Sequence, residues 1–314
     1  MTRVLVLGGS GMLGSAVVDW LARDNSLNVA ATVRAQRYAE RGRMLLPEVE
    51  WHLLDIEECL SANTHSLLHK YDWIINAIGL NKQLIHDDNP TEVERAIRVN
   101  ALFPHWLARK AGESDARVLQ IETDCVYSGR EGRYTEDAPH DPLDVYGKTK
   151  SLGEVQSCNV FHLRCSMIGP ELKNHVSLLD WFLGQPLGAK VTGFINHRWN
   201  GVTSLHFARI CHGVIKNNLK LPHVHHIVPA DEMTKAEMLE EFAGVYGRGD
   251  VRIERGETAF AIDRTLRTKN ETLNRCIWEA AGFPGPQSIA DMIREMHSFD
   301  FRFGSLATCF NDQV

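Results

Sequence analysis

Tyr146 and Lys150, four positions apart in the run YGKTK, are the first residues in the sequence whose types and spacing could do chemistry. If the run is helical, both side chains lie on one face, one turn apart. The tyrosine can then donate a proton while the neighbouring ammonium favours its phenolate form. The same spacing also occurs on ordinary helix surfaces, so these two residues alone do not distinguish a catalytic pair from a solvated face.

A glycine-rich run near the start of the chain joins an apolar stretch to a helix-like one. RVLVLG (3–8) predicts a buried strand, and SAVVDWLARD (15–24) has apolar residues at helical spacing. Glycines at such a junction allow a tight turn and let backbone N–H groups approach a pyrophosphate at a helix N-terminus. The sequence therefore predicts a dinucleotide site with contacts from Gly8, Ser10, Gly11, Met12, Leu13 and Gly14.

The end of the second predicted strand bears on which dinucleotide binds. An NAD site usually has Asp or Glu there, about 20 residues after the glycines, to bind the ribose 2′-hydroxyl. This chain has TVRAQR instead, with Arg34 and Arg37. An arginine can hold a 2′-phosphate with two hydrogen bonds, so we expect NADP(H) in preference to NAD(H). The alternative is that Arg34 is merely solvated.

Strand and helix signals alternate through the first half of the chain and indicate an α/β fold. The pattern predicts a Rossmann-like, doubly wound parallel sheet with a smaller C-terminal substrate lobe. We expect residues 1–165 and 200–245 to form the dinucleotide-binding domain, and 166–199 and 246–314 the substrate lobe. The predicted strands are 3–8, 28–34, 49–56, 72–78, 117–124 and 160–166, and the longer predicted helices include 90–112 and 146–158.

Composition narrows the class of protein. The net charge of −6 over 314 residues argues against a general nucleic-acid binder. The N-terminus does not resemble a signal peptide and no apolar run reaches eighteen residues, so we expect no membrane partner. The seven cysteines include no CxxC pair and are odd in number, which favours free thiols in a reducing cytoplasm. His223 and His225 share one side of a strand but lack a third ligand, so we expect no metal site.

Several short motifs occur in an order that resembles one enzyme family. Over about residues 1–170 the chain resembles the extended short-chain dehydrogenase/reductases, and within them the dTDP-4-dehydrorhamnose reductase branch. The motifs that carry the resemblance are GGSGMLG (8–14), DI (55–56), NAIG (76–79), VN (99–100), TDCVYSG (123–129) and YGKTKSLGE (146–154).

The resemblance implies roles for individual residues. Tyr146 would donate the proton, Lys150 would lower the pKa of Tyr146 and hold the nicotinamide ribose, and Thr123 would polarise the substrate carbonyl. Asp55 and Ile56 would border the adenine, and Ala77, Ile78 and Gly79 would form the loop beneath the cofactor. Asp124, Cys125 and Arg198 are expected at the substrate, although Cys125 is also interpreted as a small packing residue. Arg198, Arg264 and Arg267 are further candidates for holding a substrate diphosphate.

The function implied is NADPH-dependent reduction of a nucleotide-linked 4-keto-6-deoxy sugar to the hydroxy sugar. Two alternatives stay open: an epimerase or dehydratase with tightly bound NAD, and a regulatory subunit that binds the dinucleotide without turnover. The expected partners are the nucleotide sugar and, as an open possibility, a second copy of the chain. The sequence does not specify the sugar or the base.

Overall fold

The computed structural model describes residues 1–62 and 66–303. Its strands are β1 (Thr2–Leu7), β2 (Leu27–Val33), β3 (Glu50–Leu53), β4 (Trp73–Asn76), β5 (Arg117–Glu122), β6 (Val160–Arg164), β7 (Met167–Ile168), β8 (Lys190–Phe194), β9 (His197–Trp199), β10 (Val202–Thr203), β11 (Val224–His226), β12 (Met233–Thr234), β13 (Arg252–Gly256) and β14 (Ile262–Asp263).

Helices connect these strands. The α-helices are α1 (Met12–Leu21), α2 (Gln36–Leu45), α3 (Ile56–Ala62), α4 (Pro90–Ala96), α5 (Phe103–Gly112), α6 (Val145–Leu152), α7 (Leu178–Leu183), α8 (Ser204–Lys216), α9 (Lys235–Val245), α10 (Glu271–Ala280) and α11 (Ile289–Ser298). Short 3₁₀ turns span Leu68–Lys70, Lys82–Leu84 and Asp124–Val126, and a π-helix spans Ile97–Leu102.

Seven of the described strands form one sheet in the order β11-β6-β5-β4-β1-β2-β3, and every pairing is parallel. Its central strands are apolar on both faces, as expected where helices cover both sides. The strand order reverses between β1 and β4, which is where open sheets of this kind bind ligands. The predicted Rossmann-like, doubly wound fold is confirmed.

The observed strands begin and end within a few residues of the predicted ones, and three predicted elements differ most in extent. The predicted helix 90–112 is interrupted, because α4 and α5 are joined by the π-helix Ile97–Leu102. The predicted helix 146–158 ends at Leu152, where Gly153 packs against the π-helix. The predicted strand 49–56 ends at Leu53 because the Asp55 carboxylate accepts the Glu57 amide and begins α3.

The chain after β6 divides its contacts between the sheet and smaller structures. β11 extends the main sheet beside β6, and α8 packs against α1. The short pairings β10-β7, β12-β9-β14 and β13-β8 lie outside that sheet. α10 packs against α8, and Phe303 stacks on Trp51, so the C-terminal part of the described chain also covers the main domain. The domain boundaries at 165, 199 and 245 stay a prediction.

Candidate active site

The glycine loop between β1 and α1 has the geometry of a phosphate cradle. Gly8 has φ +82°, a conformation that favours glycine, and the Gly11 amide donates to the Gly8 carbonyl at 3.0 Å. A Cβ at Gly14 would lie 2.1 Å from the Gly8 oxygen, so only glycine allows the helix to start this close to the strand. Ser10 is buried beside the loop. The backbone therefore fits the diphosphate of a dinucleotide at the helix N-terminus.

The loop after β4 lies directly against the glycine loop. The Ala77 amide donates to the Leu7 carbonyl at 3.0 Å, and the Ile78 amide donates to the Asn76 side chain at 3.1 Å. A Cβ on Gly8 would lie 3.0 Å from Ile78 Cγ1, so the two loops are in close contact. The structure thus places Ala77, Ile78 and Gly79 along the edge where the dinucleotide is expected.

Asn100 holds the next part of this edge together. Its Oδ1 accepts the Leu80 amide at 2.8 Å, and its Nδ2 donates to the Leu80 carbonyl and to Thr149 Oγ1. Asn100 lies in the π-helix, a local distortion that is frequent at functional sites. It therefore braces the loop after β4 against α6.

Three cations lie around the glycine loop, and one of them was not predicted from the sequence. Arg34 and Arg37 follow β2 and are exposed. Lys173, from the loop after β7, donates from Nζ to Ser10 Oγ at 3.1 Å and lies 5.2 Å from the Tyr38 ring centroid. Burial lowers the pKa of Lys173, and the nearby Arg34 and Arg37 lower it further. The arrangement favours a ligand that brings negative charge.

Asp55 and Ile56 lie at the start of α3. The Asp55 carboxylate accepts the Glu57 amide at 2.8 Å, so part of its hydrogen-bonding capacity is used to begin the helix. Ile56 is partly buried and packs with the cluster that includes Ile78. The expected contact of these residues with adenine stays a prediction.

Tyr146 meets Thr123 because α6 approaches the end of β5 closely. A Cβ at Gly147 would lie 2.2 Å from the Cys125 carbonyl oxygen, so the glycine after Tyr146 permits this contact. The Asp144 carboxylate accepts the Gly147 amide at 2.8 Å and caps the helix. Thr123 Oγ1 accepts the Cys125 amide at 3.2 Å, which orients its hydroxyl at the carboxyl end of β5.

The pKa of Tyr146 is shifted in the direction opposite to that expected from the sequence. Burial raises the pKa of its phenol, and Cys125 adds to the rise, whereas a hydrogen bond with Thr123 opposes it. Tyr146 is therefore held as the neutral phenol, the form that donates a proton.

Lys150 is bound to groups behind Tyr146 that the sequence did not indicate. Its Nζ donates to the Ile121 carbonyl at 2.8 Å and lies 2.9 Å from Glu122 Oε2. Both side chains are almost fully buried. The ammonium is therefore paired with a carboxylate, which weakens the stabilisation that Lys150 alone was expected to give a Tyr146 phenolate.

Asp124 and Cys125 form the wall beyond Thr123. Burial raises the pKa of the Asp124 carboxyl, although the charges of Arg264 and Lys235 oppose the rise. Burial raises the pKa of the Cys125 thiol to about 12, and Asp124 adds to the rise. The thiol is therefore un-ionised at neutral pH, which fits a packing role better than that of a nucleophile.

Lys235 and Arg264 bring positive charge to this wall. Lys235 begins α9, and burial lowers its pKa while Asp124 opposes the shift. Arg264 donates from Nε to the Tyr127 carbonyl at 2.8 Å. Arg198, by contrast, is half-exposed and pairs with Glu232 at 2.8 Å.

Arg267, the other basic residue proposed from the sequence, is exposed. Lys235 was not predicted as a site residue, because the surrounding run TKAEM (234–238) indicates only the capped N-terminus of a helix.

In the described part of the chain, residues 1–62 and 66–303, no group of three or more His, Cys, Asp and Glu side chains is arranged to hold a metal ion. None of the helices in this part is both long enough and apolar enough to cross a membrane.

The chain is similar to curated proteins of more than one kind. A dTDP-4-dehydrorhamnose reductase of Streptomyces griseus is 31% identical over 153 residues, 48% of this chain and 43% of that protein. Methionine adenosyltransferase 2 subunit beta of Mus musculus is 30% identical over 154 residues, 48% of this chain and 41% of that protein. The chain spans a little under half the length of the curated relatives it matches.

Solved structures share the fold over nearly the whole chain. The dTDP-4-dehydrorhamnose reductase of Bacillus anthracis, in complex with NADP, has a TM-score of 0.68 at 18% identity and covers 94% of this chain and 99% of its own. The UDP-glucuronic acid 4-epimerase of Bacillus cereus, in complex with UDP-glucuronic acid and NAD, has a TM-score of 0.72 at 14% identity and covers 94% and 98%. At these identities the likeness shows the fold alone.

The family model described as RmlD substrate binding domain matches residues 1–177. This match covers more than half of the chain, from the glycine loop through Thr123, Tyr146 and Lys150 to the loop that carries Lys173. The chain therefore belongs to the RmlD substrate binding domain family, within the extended short-chain dehydrogenase/reductases.

Proposed function

We propose that the protein uses NADPH to reduce a nucleotide-linked 4-keto-6-deoxy sugar to the hydroxy sugar. The observation that carries the proposal is the hydrogen bond between Tyr146 and Thr123. It lies at the carboxyl end of the sheet, the same end that bears the glycine loop. One edge thus combines a neutral proton donor, a second hydroxyl and a dinucleotide cradle. Membership in the family supports the same chemistry.

The side chains divide the reaction between them. NADPH, when bound, supplies a hydride to the carbonyl carbon. The Tyr146 hydroxyl donates its proton to the carbonyl oxygen as negative charge develops there. Thr123 directs a second hydrogen bond at the same oxygen, and this bond strengthens in the transition state. Lys150 contributes the cation behind the tyrosine.

The preference for NADPH follows from the charge around the glycine loop. Arg34 stands where a carboxylate would select NADH, and Arg37 and Lys173 add positive charge nearby. A 2′-phosphate would be attracted to this cluster, whereas NADH offers no phosphate at that position. Lys173 would approach it from the loop after β7, beside Ser10.

The negatively charged part of the substrate would lie near Lys235 and Arg264. Their charges act on Asp124, which borders Thr123. Burial disfavours the charged form of Lys235, so a bound anion beside it would stabilise that form. A nucleotide diphosphate supplies that charge, and we assign these two residues to it in place of Arg198.

The test is a screen of nucleotide-linked 4-keto-6-deoxy sugars for oxidation of NADPH, followed by absorbance. We expect turnover with at least one sugar and its loss in Tyr146→Phe. Lys150→Met should also lower turnover, because it removes the cation behind Tyr146. Lys148→Met, on the exposed face of the same helix, is its matched control and should keep parent turnover. Absence of NADPH oxidation with every nucleotide keto sugar would contradict the proposal.

An epimerase or dehydratase is the second candidate, and Asp124 favours it. Such enzymes return the hydride to the substrate and need a further acid or base. The raised pKa of Asp124 gives a carboxyl that can hold a proton beside Thr123. Purified protein that retains NAD and converts a sugar without net NADPH use, with loss of conversion in Asp124→Asn, would support this candidate.

A non-catalytic role is the third, since one relative is named as a subunit of methionine adenosyltransferase. A stable heteromeric partner together with binding but no turnover of NADPH would support that role.

A further inference from the structure

A fully buried acid and histidine lie behind Lys150. Glu122, at the end of β5, has its Oε2 2.9 Å from Lys150 Nζ and its Oε1 3.2 Å from His162 Nδ1. His162 Nε2 lies 3.1 Å from the Val155 carbonyl oxygen. The side chains of Glu122 and His162 have no solvent exposure. Lys150, Glu122 and His162, here called the Lys–Glu–His cluster, therefore form one connected group away from water.

The contacts of His162 fix how many protons the cluster holds. A carbonyl oxygen can only accept, so Nε2 carries a hydrogen. Nδ1 faces Glu122 Oε1, and a bond between them needs another proton on one of these two atoms. If His162 were neutral with its hydrogen on Nε2, and Glu122 were ionised, the lone pairs of Nδ1 and of Glu122 Oε1 would face each other. The Glu122–His162 pair therefore holds one proton more than a carboxylate and a neutral imidazole would.

This extra proton changes the charge behind Tyr146. With Lys150 protonated, the ammonium and a lone Glu122 carboxylate would cancel. Burial opposes ionisation of Glu122, but the attraction of Lys150 and the bond with His162 outweigh it and lower the pKa of the carboxyl. The extra proton held between Glu122 and His162 then leaves the cluster with one net positive charge. Charge of that sign favours the Tyr146 phenolate, whereas Glu122 alone opposes it.

We propose that His162 is a positioning residue that offsets Glu122, so that Lys150 remains an effective cation for Tyr146. The inference rests on the proposed role of Tyr146 as proton donor. It also gives Glu122 a function: the carboxylate draws the Lys150 ammonium to one place, while His162 supplies the charge that the carboxylate removes.

Other titratable groups also face the cluster and Tyr146. Glu122 acts on His140, in the loop before α6, and the His223 ring packs edge-on to His162 with 4.8 Å between centroids. Burial lowers the pKa of His223, and His162 lowers it further. Asp124 and Cys125 face Tyr146 from the other side. These groups are common to the variants of His162 and Glu122 below, so their effects cancel in that comparison, and His223 is tested by a variant of its own.

The test measures ionisation of Tyr146 directly. Phenolate absorbance is followed against pH with NADP⁺ present, and the same protein carrying Tyr146→Phe is subtracted. His162→Asn should raise the midpoint by about one pH unit, a tenfold weaker ionisation, because it removes positive charge. Glu122→Gln should leave the midpoint close to that of the parent, because the extra proton of the Glu122–His162 pair is lost together with the carboxylate. The double variant should return close to the parent, since both charges are then gone.

The pattern across the variants separates charge from structure. A lowered midpoint in Glu122→Gln, a raised midpoint in the double variant, or no shift in His162→Asn would overturn the proposal. His223→Asn is the matched control, because it removes the neighbouring histidine and leaves the bond between His162 and Glu122 in place; we expect no comparable shift. If His162→Asn fails to fold, Glu122→Gln alone still decides, because a lowered midpoint would show that the Glu122 charge was not offset in the parent and would overturn the proposal.

The titration also stands apart from the proposed reaction. It needs no sugar, so an absence of keto-sugar reduction would count against the proposed function without changing the absorbance result. Where turnover is found, the alkaline limb of the pH–rate profile for ketone reduction should move in the same order across the variants, because it reports loss of the Tyr146 proton.

Discussion

Gly147→Ala tests whether the close approach of α6 to Thr123 is needed for activity. A Cβ added at Gly147 would lie 2.2 Å from the Cys125 carbonyl oxygen and 2.7 Å from Pro142 Cβ. Ordinary contact begins at 3.4 Å, so the helix and the 124–126 turn must separate by roughly 1 Å. The separation moves the Tyr146 hydroxyl relative to Thr123.

The structure gives the size of the expected effect. A misplacement of about 1 Å near reacting groups can lower the rate on the order of 10²-fold. Alanine is intrinsically better in a helix than glycine by about 1 kcal/mol. Here the overlap is with backbone in a packed region, and overpacking of this kind typically costs about 1–3 kcal/mol. We therefore expect lower turnover together with unchanged or lower stability.

The assay combines keto-sugar reduction with urea unfolding and NADPH titration. Gly244→Ala is the matched control, because Gly244 also lies in a helix, α9, but an added Cβ would have no neighbour within 4 Å. We expect that control to raise the free energy of unfolding by about 0.5–1 kcal/mol and to keep full turnover. Full turnover in Gly147→Ala with a similar gain in stability would refute the packing argument.

Further perturbations give four more expected outcomes. Tyr146→Phe should lower turnover by about 10²- to 10⁴-fold with little change in a fluorescence titration of NADPH, and parent-level turnover would show that the proton comes from elsewhere. The parent should bind NADPH at least several-fold tighter than NADH, a preference that Arg34→Ala should largely remove; equal parent affinities would contradict it. Glu154→Gln should destabilise the fold by about 3–5 kcal/mol in urea, because Arg164 is buried and Glu154 accepts from it at 2.7 Å; a change below about 1 kcal/mol would contradict this. Burial, together with Arg164, lowers the pKa of His226 from 6.5 to about 4, so the unfolded chain binds a proton that the folded chain excludes. The free energy of unfolding should fall as pH drops from 6.5 to about 4, and His226→Gln should flatten that slope.

Much of the fold could be predicted because its signals are local. The apolar run before Gly8 and the helical spacing after it describe a strand, a turn and a helix that are contiguous in the chain. The same holds for the motif around Thr123 and for Tyr146 and Lys150, whose spacing follows from the helical repeat. Local geometry also explains the small errors, since the ends of α6 and β3 depend on packing at Gly153 and on the Asp55 cap.

The electrostatic environment of the site could not be predicted in this way. Lys173 reaches Ser10 from a loop beyond β7, and Lys235 approaches Asp124 from the start of α9. The strength and direction of such interactions depend on burial and on which segments meet in space, neither of which is encoded in residue spacing.

By itself, the sequence determined the parallel α/β fold and the glycine loop, and its resemblance to a known family predicted Thr123, Tyr146 and Lys150 as the reacting set. Only the tertiary structure decided that Lys150 is paired with Glu122 and that the Tyr146 pKa is raised. The physical reason is that periodicity and turn chemistry act between near neighbours in the chain, whereas desolvation and charge act between atoms that folding brings together from distant segments.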